Sequence, residues 1–398
     1  MLNPAAVAAP ERAARSLWWA AAALLFATAF GTNVPTPLLL IYRHRLHLST
    51  TELTAIFGVY ALGLAPSLLL GGPASDRYGR LRVLLPSVLL AGAASLVFLP
   101  GAHSVPMLFV ARFVQGLASG AAFSVGSAWL QDLVGAASAA QAARRASIAL
   151  SMGFCVGPLS SGLLAEWGPA PLTLPYLLHV ALVAALLVAA LALVRRARWT
   201  DRPAAVRASL LPHTGLAAPE RRTFRRTLVP VAICVYALPS VAITVLPLLL
   251  PHRSHVVAFT GVLSAVALGA GALVQPAAHL LGRRRGAIGA ALGALGYGCG
   301  ALAAGPQSTG LVLLGAALLG AGGGLCLNAG LSLVGEIAPP ATRGACNGLF
   351  YTWAYVGFAT PLLATSFVAV EHLIRSLVVL AVLATLTSAW LLLRTCEA

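Results

Sequence analysis

Long apolar segments recur along the whole chain, and short polar turns separate them. A helix needs about 20 apolar residues to cross the hydrocarbon core of a bilayer. Segments of roughly that length lie at 17–41, 52–71, 82–101, 105–131, 146–165, 173–194, 227–250, 257–280, 286–304, 308–334, 345–369 and 372–393. The pattern predicts an all-α polytopic membrane protein with twelve transmembrane helices.

The composition excludes a water-soluble protein. The chain has 398 residues, of which 59% are hydrophobic and only 9% charged. Too few charged side chains are present to cover the surface of a soluble domain of this size. The six cysteines have neither metal-ligand spacing nor a disulfide context, so we interpret them as packing residues.

The basic residues indicate the orientation of the chain. All 26 are arginines, and most fall in segments on one side of the predicted membrane. The exceptions are Arg43, Arg45, Arg253 and Arg375 on the other side, and Arg112 within a span. This asymmetry predicts that both termini are cytoplasmic, with an uncleaved first span. It also argues against nucleic-acid binding, despite the net charge of +16.

The chain reads as two similar halves, 1–194 and 227–398, joined by a basic linker at 195–226. Residues of the same kind occur in the same order in both halves: Pro73 and Pro276, Gly79 and Gly282, Arg80 and Arg283, Asp132 and Glu336. Duplicated halves predict a carrier with a central site. We interpret the linker as an orientation signal and tether, with contact to anionic lipid as the alternative.

The turn at 71–82 is the most distinctive motif of the chain. Its glycines permit a tight turn, and Asp76 at a helix end can accept hydrogen bonds from another helix N-terminus. Arg80 can pair with Asp132 at the end of the fourth span. The alternative is a turn that only fixes orientation.

This turn and two further motifs resemble the major facilitator superfamily, in particular its twelve-helix drug:proton antiporter-like group, over almost the whole chain. The resemblance implies two pseudo-symmetric six-helix bundles and a conformational latch in the loops. The latch would comprise Gly72, Asp76, Arg77, Gly79, Arg80, Asp132, Arg283 and Glu336. His279 replaces the aspartate in the second loop, so we expect a weaker latch there.

The second motif is Arg112, Gln115 and Gly116 in the fourth span. A buried arginine in a transmembrane helix is costly and marks a functional candidate. The resemblance implies a role in proton movement or helix positioning, and the proton-coupling candidates are Arg112, Asp76 and Asp132. Alternatively, Arg112 snorkels or bonds to carbonyl groups.

The third motif is a partial match in the fifth span, formed by Gly153, Gly157, Pro158 and Gly162. A Gly-Pro pair removes a backbone hydrogen bond and predicts a helix bend. By resemblance, this motif is associated with antiporters.

Candidates for the substrate cavity are the polar and aromatic residues at mid-depth in the spans that line such cavities in the family. They are Asn33, Thr36, Tyr60, Arg112, Gln115, Ser119, Tyr236, Ser240, Asn328, Tyr351 and Trp353. All ten acidic residues fall in loops or at span ends, which favours neutral or anionic solutes over cations. Glu166 and His179 are further titratable candidates, and His179 is expected to be structural.

We therefore predict a secondary transporter that moves a small amphipathic solute by alternating access, as a proton-coupled efflux permease. The alternatives are an uptake permease or facilitator for a neutral or anionic metabolite, and a non-transporting receptor or scaffold. No catalytic set, phosphate-binding loop or metal cluster is recognisable, so we expect neither an enzyme nor a cofactor. The expected setting is a bacterial inner membrane, as a monomer.

Overall fold

In a computed structural model, every regular element of the described residues is a helix. The structure describes residues 4–134, 139–200, 215–250, 254–305, 307–338, 343–366 and 370–396. Helices satisfy their own backbone hydrogen bonds, which a segment in lipid requires. The prediction of an all-α polytopic membrane protein is confirmed.

Seven α-helices precede the predicted linker. They are α1 (Pro4–Asn33), α2 (Pro35–Leu46), α3 (Thr50–Tyr78), α4 (Arg80–Gly101), α5 (Val105–Val134), α6 (Ala139–Trp167) and α7 (Leu174–Arg196). Part of the linker, 201–214, lies outside the described residues.

The end of the predicted linker holds α8 (Ala218–Thr223) and the beginning of a π-helical segment (Phe224–Leu228). Then come α9 (Val229–Thr244) and a 3₁₀ turn (Leu246–Leu249). Then follow α10 (Val256–Val274), a 3₁₀ segment (Gln275–Arg284), α11 (Arg285–Ala303) and α12 (Thr309–Ile337). The last elements are α13 (Arg343–Val356), a 3₁₀ turn (Gly357–Ala359), α14 (Thr360–Ser366) and α15 (Val370–Cys396).

By length and composition, the described residues hold ten helices that could cross a membrane. One of them, Val256–Ala303, combines the predicted eighth and ninth spans. The predicted eleventh span, 345–369, is not among the ten. The count of twelve therefore stays a prediction.

The chain forms two compact units, and two of the boundaries between them, 61/62 and 157/158, fall within helices. The first comprises Met1–Val34, Leu62–Gly157 and Ala170–Leu211, and the second Pro35–Ala61, Pro158–Pro169 and Pro212–Ala398. The second unit thus includes short segments of the first half of the sequence. The predicted division at 195–226 stays a prediction.

Small residues determine how the helices pack in the second unit. A Cβ atom at Gly289 would lie 2.7 Å from Gly322 O, and one at Gly296 would lie 2.9 Å from Gly315 O. The glycines therefore allow α11 and α12 to pack backbone against backbone. Such close packing stabilises helix pairs in lipid, where the hydrophobic effect provides no force between them.

The two predicted repeat turns share one backbone feature. Gly79 has φ of 104° and Gly282 has φ of 53°, values that favour glycine because it lacks a Cβ atom. Gly79 separates α3 from α4, and Gly282 breaks the helical path between α10 and α11. Equivalent turns therefore occur where the sequence repeat predicts them.

Candidate functional site

The turn between α3 and α4 holds a charged cluster centred on Arg80. Its Nε donates to Asp132 Oδ2 at 2.7 Å, and its Nη1 donates to Ser75 Oγ at 2.6 Å. The same Nη1 forms an ion pair with Asp76. One guanidinium thus bridges a carboxylate on α3 and one on α5, as the sequence suggested for Arg80 and Asp132.

The other residues of this motif have distinct surroundings. Gly72 packs against α5, since a Cβ atom there would lie 3.3 Å from Ser124 Oγ. Arg77 is exposed, with its guanidinium 5.4 Å from the centroid of the Tyr78 ring. The charged network of this turn therefore depends on Arg80 rather than on Arg77.

The corresponding turn of the second half is arranged differently. Among the described residues, Arg283 and Glu336 form no ion pair. Both side chains instead line one cavity of the second unit. The Arg80–Asp132 arrangement is thus not repeated at this turn.

A buried polar network surrounds Arg112 in the first unit. The side chain is 1% exposed, and its Nη1 donates to Thr32 O at 2.9 Å and to Gln115 Oε1 at 2.6 Å. Gln115 Nε2 donates to Gly31 O at 2.6 Å. Ser119 Oγ lies 3.2 Å from Thr32 Oγ1. Three predicted site residues of α5 therefore meet the end of α1.

The sequence explains why α1 needs these donors. The carbonyl of Gly31 would bond to the amide four residues later, but that residue is Pro35, which has no N–H. A second proline, Pro37, likewise deprives Asn33 of its partner. Gly31 O accepts from Val34 N at 3.3 Å instead, and the carbonyl groups at the end of α1 have room for side-chain donors. Gln115 and Arg112 supply donors at this break.

His179 on α7 is completely buried in the first unit. Its Nδ1 lies 2.7 Å from Ser95 Oγ, and its Nε2 lies 3.0 Å from Ala27 O. The imidazole thereby joins α7 to α4 and α1. Both ring nitrogens have partners within the protein, as expected of a structural histidine.

The glycines of the fifth-span motif mark close helix contacts. A Cβ atom at Gly153 would lie 2.6 Å from Phe26 O, and one at Gly157 would overlap Phe30 O. Beyond Pro158, which stays within α6, Gly162 approaches α10, since a Cβ atom there would lie 3.1 Å from Gly261 Cα. The motif therefore allows α6 to pack tightly against two other helices.

Five rings of the second unit form what we call the aromatic cluster: Phe57, Tyr60, Tyr236, Tyr355 and Phe358. The rings of Tyr236 and Tyr355 stack at 4.5 Å between centroids, and their hydroxyl groups are 3.3 Å apart. The centroid of the Phe358 ring lies 5.2 Å from that of Tyr236, 5.3 Å from that of Phe57 and 6.1 Å from that of Tyr60. These separations are typical of interacting aromatic pairs.

A helix break positions Phe358 at the centre of this cluster. A Cβ atom at Gly357 would lie 2.7 Å from Ala237 N, so only glycine allows this approach to α9. The α-helical pattern is interrupted there by a 3₁₀ turn. Tyr351 precedes Tyr355 by one helical turn, on the same face of α13.

The remaining predicted cavity residues are dispersed. Ser240 Oγ donates to Ala237 O of its own helix, and Asn328 Oδ1 accepts from Arg285 at 3.0 Å. Trp353 is 37% exposed. Asn33 and Thr36 are buried at the break after α1, and Thr36 Oγ1 has no hydrogen-bond partner within the described part of the chain.

Sequence reasoning missed three members of the aromatic cluster and a second group of contacts in the same unit. Thr54 Oγ1 lies 2.7 Å from Thr365 Oγ1, and Glu166 accepts from Ala258 N at 3.2 Å. Phe57 precedes Tyr60 by three residues, which is same-face helical spacing and could have identified it. Nothing local indicated that Phe358 would join them.

Comparison with known proteins gives the family. The profile of the Major Facilitator Superfamily matches residues 21–361. The chain is 38% identical over 113 residues to the 3-(3-hydroxy-phenyl)propionate transporter of Escherichia coli, covering 28% of this chain and 26% of that protein. It is 35% identical over 86 residues to the multidrug resistance protein MdtL of Shewanella oneidensis, covering 22% of each. The matched stretches thus span about a quarter of these relatives.

Two solved structures share the fold at low sequence identity. A peptide transporter POT in complex with sulfate superposes with a TM-score of 0.80 at 16% identity, covering 97% of this chain and 94% of that one. A POT family transporter in complex with 5-aminolevulinic acid superposes with a TM-score of 0.79 at 15% identity, covering 97% of this chain and 96% of that one. Since the family profile matches most of the sequence, the chain belongs to the major facilitator superfamily, a family of multi-pass membrane transporters that are not enzymes.

Proposed function

We propose that this protein is a proton-coupled secondary transporter that exports a small amphipathic solute with an aromatic part. The aromatic cluster is the observation that carries this proposal. It combines stacked rings with three tyrosine hydroxyl groups. Phe57, Tyr60 and Tyr355 are buried in this structure, so a solute would bind here when the rings separate. A solute with a ring and one or two polar groups matches the chemistry of these side chains.

The charges of the described spans support a neutral or anionic solute. Arg112 is a permanent positive charge inside the first unit. The acidic residues near the charged turns, Asp76 and Asp132, are already engaged by Arg80. A cationic solute would therefore meet unfavourable electrostatics near Arg112.

Export and proton coupling are supported by the fifth-span motif and by resemblance to drug exporters. A stretch of the chain is similar to the multidrug resistance protein MdtL. The proposed coupling groups are Asp76 and Asp132, because protonation of either carboxylate would weaken its bond to Arg80. Arg112 contributes a fixed positive charge to the proposed coupling. The proposed setting is a bacterial inner membrane, with both termini in the cytoplasm and the protein as a monomer.

Uptake of an aromatic acid is the second candidate. It is favoured by the similarity of a stretch of 113 residues to the 3-(3-hydroxy-phenyl)propionate transporter. An aromatic carboxylate suits the same ring surface through its ring. The two candidates differ in the direction of transport and in the charge of the solute.

Thermal unfolding of the purified protein in detergent tests the binding step. The probes are chloramphenicol as a neutral aromatic solute, 3-(3-hydroxyphenyl)propionate as an anion and ethidium as a cation, each at pH 5.5 and 7.5. A bound solute raises the midpoint of unfolding by mass action. We expect stabilisation by chloramphenicol that differs between the two pH values, and none by ethidium.

The other results separate the alternatives. Stabilisation by the anion alone favours the uptake candidate. Equal stabilisation at both pH values argues against proton coupling. Stabilisation by ethidium alone contradicts the proposed charge preference, and no response to any probe favours the receptor or scaffold.

A further inference from the structure

Four helices of the second unit meet at one end of the bundle around a cavity of about 120 Å³. The π-helical segment before α9 and the beginning of α11 contribute to it, as do the ends of α12 and α15. Three arginines line the cavity, Arg283, Arg285 and Arg394. The rest of the lining is mostly apolar and includes Val231, Leu333 and Leu391. The cavity therefore combines a basic side with an apolar side.

Packing within the unit orients Arg394 towards this cavity. Trp390 Nε1 donates to Arg226 O in the π-helical segment at 2.8 Å. A π-helical segment shifts the backbone bonding pattern, and here an indole from α15 binds one of its carbonyls. Arg394 lies one turn further along α15, with its guanidinium 4.5 Å from the centroid of the Trp390 ring. This cation–π contact holds the charged group beside the cavity.

Arg285 is held in place by a different partner. Its Nη1 donates to Asn328 Oδ1 at 3.0 Å, which uses one of the five N–H donors of a guanidinium. Arg285 is also the first residue of α11. The guanidinium held at this position makes this side of the cavity suitable for a negative charge.

The cavity carries an excess of positive charge. Glu336 is the acidic residue in its lining, against three arginines. Within the described residues, Glu336 pairs with none of these arginines. Like charges gathered at one place repel each other, and a bound anion with several acceptor oxygens relieves the repulsion.

We propose that this cavity binds a phosphate group, and that an anionic phospholipid supplies it. Guanidinium groups bind phosphate through parallel hydrogen bonds. The volume of about 120 Å³ is below the roughly 300–1,000 Å³ of pockets that enclose drug-sized ligands, and it suits a headgroup whose acyl chains lie outside. The helix ends place the cavity at the interfacial level of a bilayer, where basic pockets between transmembrane helices bind headgroups.

The test measures thermal unfolding of the delipidated full-length protein in detergent. The additives are dioctanoyl phosphatidylglycerol, dioctanoyl phosphatidylcholine and inorganic phosphate. Phosphatidylcholine has the same phosphate, but the arginines repel its positively charged choline group. We expect phosphatidylglycerol to raise the midpoint clearly more than the other two additives. The double variant Arg285→Gln/Arg394→Gln should weaken its apparent affinity at least tenfold.

The control variant is Arg284→Gln, which removes one positive charge next to Arg285. Arg284 is exposed and does not line the cavity, so this variant should retain the response to phosphatidylglycerol. Equal stabilisation by both lipids would overturn the proposal. So would a loss of phosphatidylglycerol affinity in Arg284→Gln that equals the loss in the double variant. Stabilisation by inorganic phosphate that equals that by phosphatidylglycerol would overturn the assignment to a lipid.

A third variant keeps the test decisive if the double variant does not fold. Glu336→Gln removes the negative charge of the lining and leaves the arginines intact. It should strengthen phosphatidylglycerol binding severalfold, and an unchanged or weaker affinity would contradict the proposal. Native mass spectrometry of the same samples would report directly whether phosphatidylglycerol stays bound.

Discussion

Arg112 and Gln115 act together on the broken end of α1, since Arg112 Nη1 donates to both Gln115 Oε1 and Thr32 O while Gln115 Nε2 donates to Gly31 O. One turn of α5 thus satisfies two successive carbonyls beside the helix-breaking Pro35. This contact explains how a costly buried arginine contributes to the structure. It also gives the Arg112 motif a positioning role that does not depend on proton transfer.

Replacing Gln115 with methionine should destabilise the protein. The change keeps the side-chain size but removes the hydrogen bonds of Gln115 to Gly31 O and Arg112, and a buried hydrogen bond contributes about 0.5–1.5 kcal/mol. Ser240→Ala is the control, because Ser240 bonds only within its own helix. Thermal unfolding in detergent would show the difference, and equal midpoints for the two variants would contradict this role of Gln115.

The bridge formed by Arg80 should appear as a coupling free energy. Arg80 is partly exposed, so we expect a double-mutant cycle of Arg80→Gln and Asp132→Asn to give about 0.5–1 kcal/mol. The same cycle with Arg77→Gln, an exposed residue of the same turn, serves as the control. Additive effects of Arg80→Gln and Asp132→Asn on the free energy of unfolding would mean that the pair does not interact in solution.

Tight packing of α6 against α1 should make Gly157 intolerant of a methyl group. Gly157→Ala would overlap Phe30 O and should cost about 1–3 kcal/mol as an overpacked contact. Gly298→Ala is a matched control in α11, because nothing lies within 4 Å of the Cβ position there. Since alanine has a higher helix propensity than glycine, the control should be neutral or stabilising. Similar losses for both variants would disagree with this packing.

The aromatic cluster should determine solute affinity. Tyr355→Ala removes a ring that contacts both Tyr236 and Phe358. It should weaken chloramphenicol binding about tenfold, because a ring contact contributes about 0.5–1.5 kcal/mol beyond its buried area. Trp353→Ala, on the same helix, removes a more exposed ring and should leave binding unchanged. Isothermal titration calorimetry would measure both, and an unaffected Tyr355→Ala variant would remove the cluster from the solute site.

Local patterns predicted the helices and the charged turn well. The lengths of the apolar segments gave most of the helices, and the Arg80–Asp132 contact followed from the position of each residue at the end of a span. Gln115 and Ser119 were recognised as site candidates, because polar groups inside apolar helices need partners. In these cases the determining physics lies within a short stretch of sequence.

The parts that the sequence did not predict depend on packing between distant segments. Phe358 meets Phe57 because Gly357 lets α13 approach α9, and no local pattern contains that approach. Asn328 is predicted as a cavity residue, and in the structure its Oδ1 accepts from Arg285 Nη1. This contact depends on the packing of α11 against α12, which no local pattern contains. The division of the helices into two compact units likewise arises from tertiary contacts.

The central claim is proton-coupled transport, and it is tested most directly in proteoliposomes with an imposed pH gradient. Radiolabelled chloramphenicol, 3-(3-hydroxyphenyl)propionate and ethidium would each be followed across the membrane, with a protonophore added to collapse the gradient. We predict that chloramphenicol moves against the proton flux, that the protonophore abolishes this movement, and that ethidium is not transported. If folded, reconstituted protein moved none of the three solutes, or moved them equally with and without the gradient, the account would be contradicted.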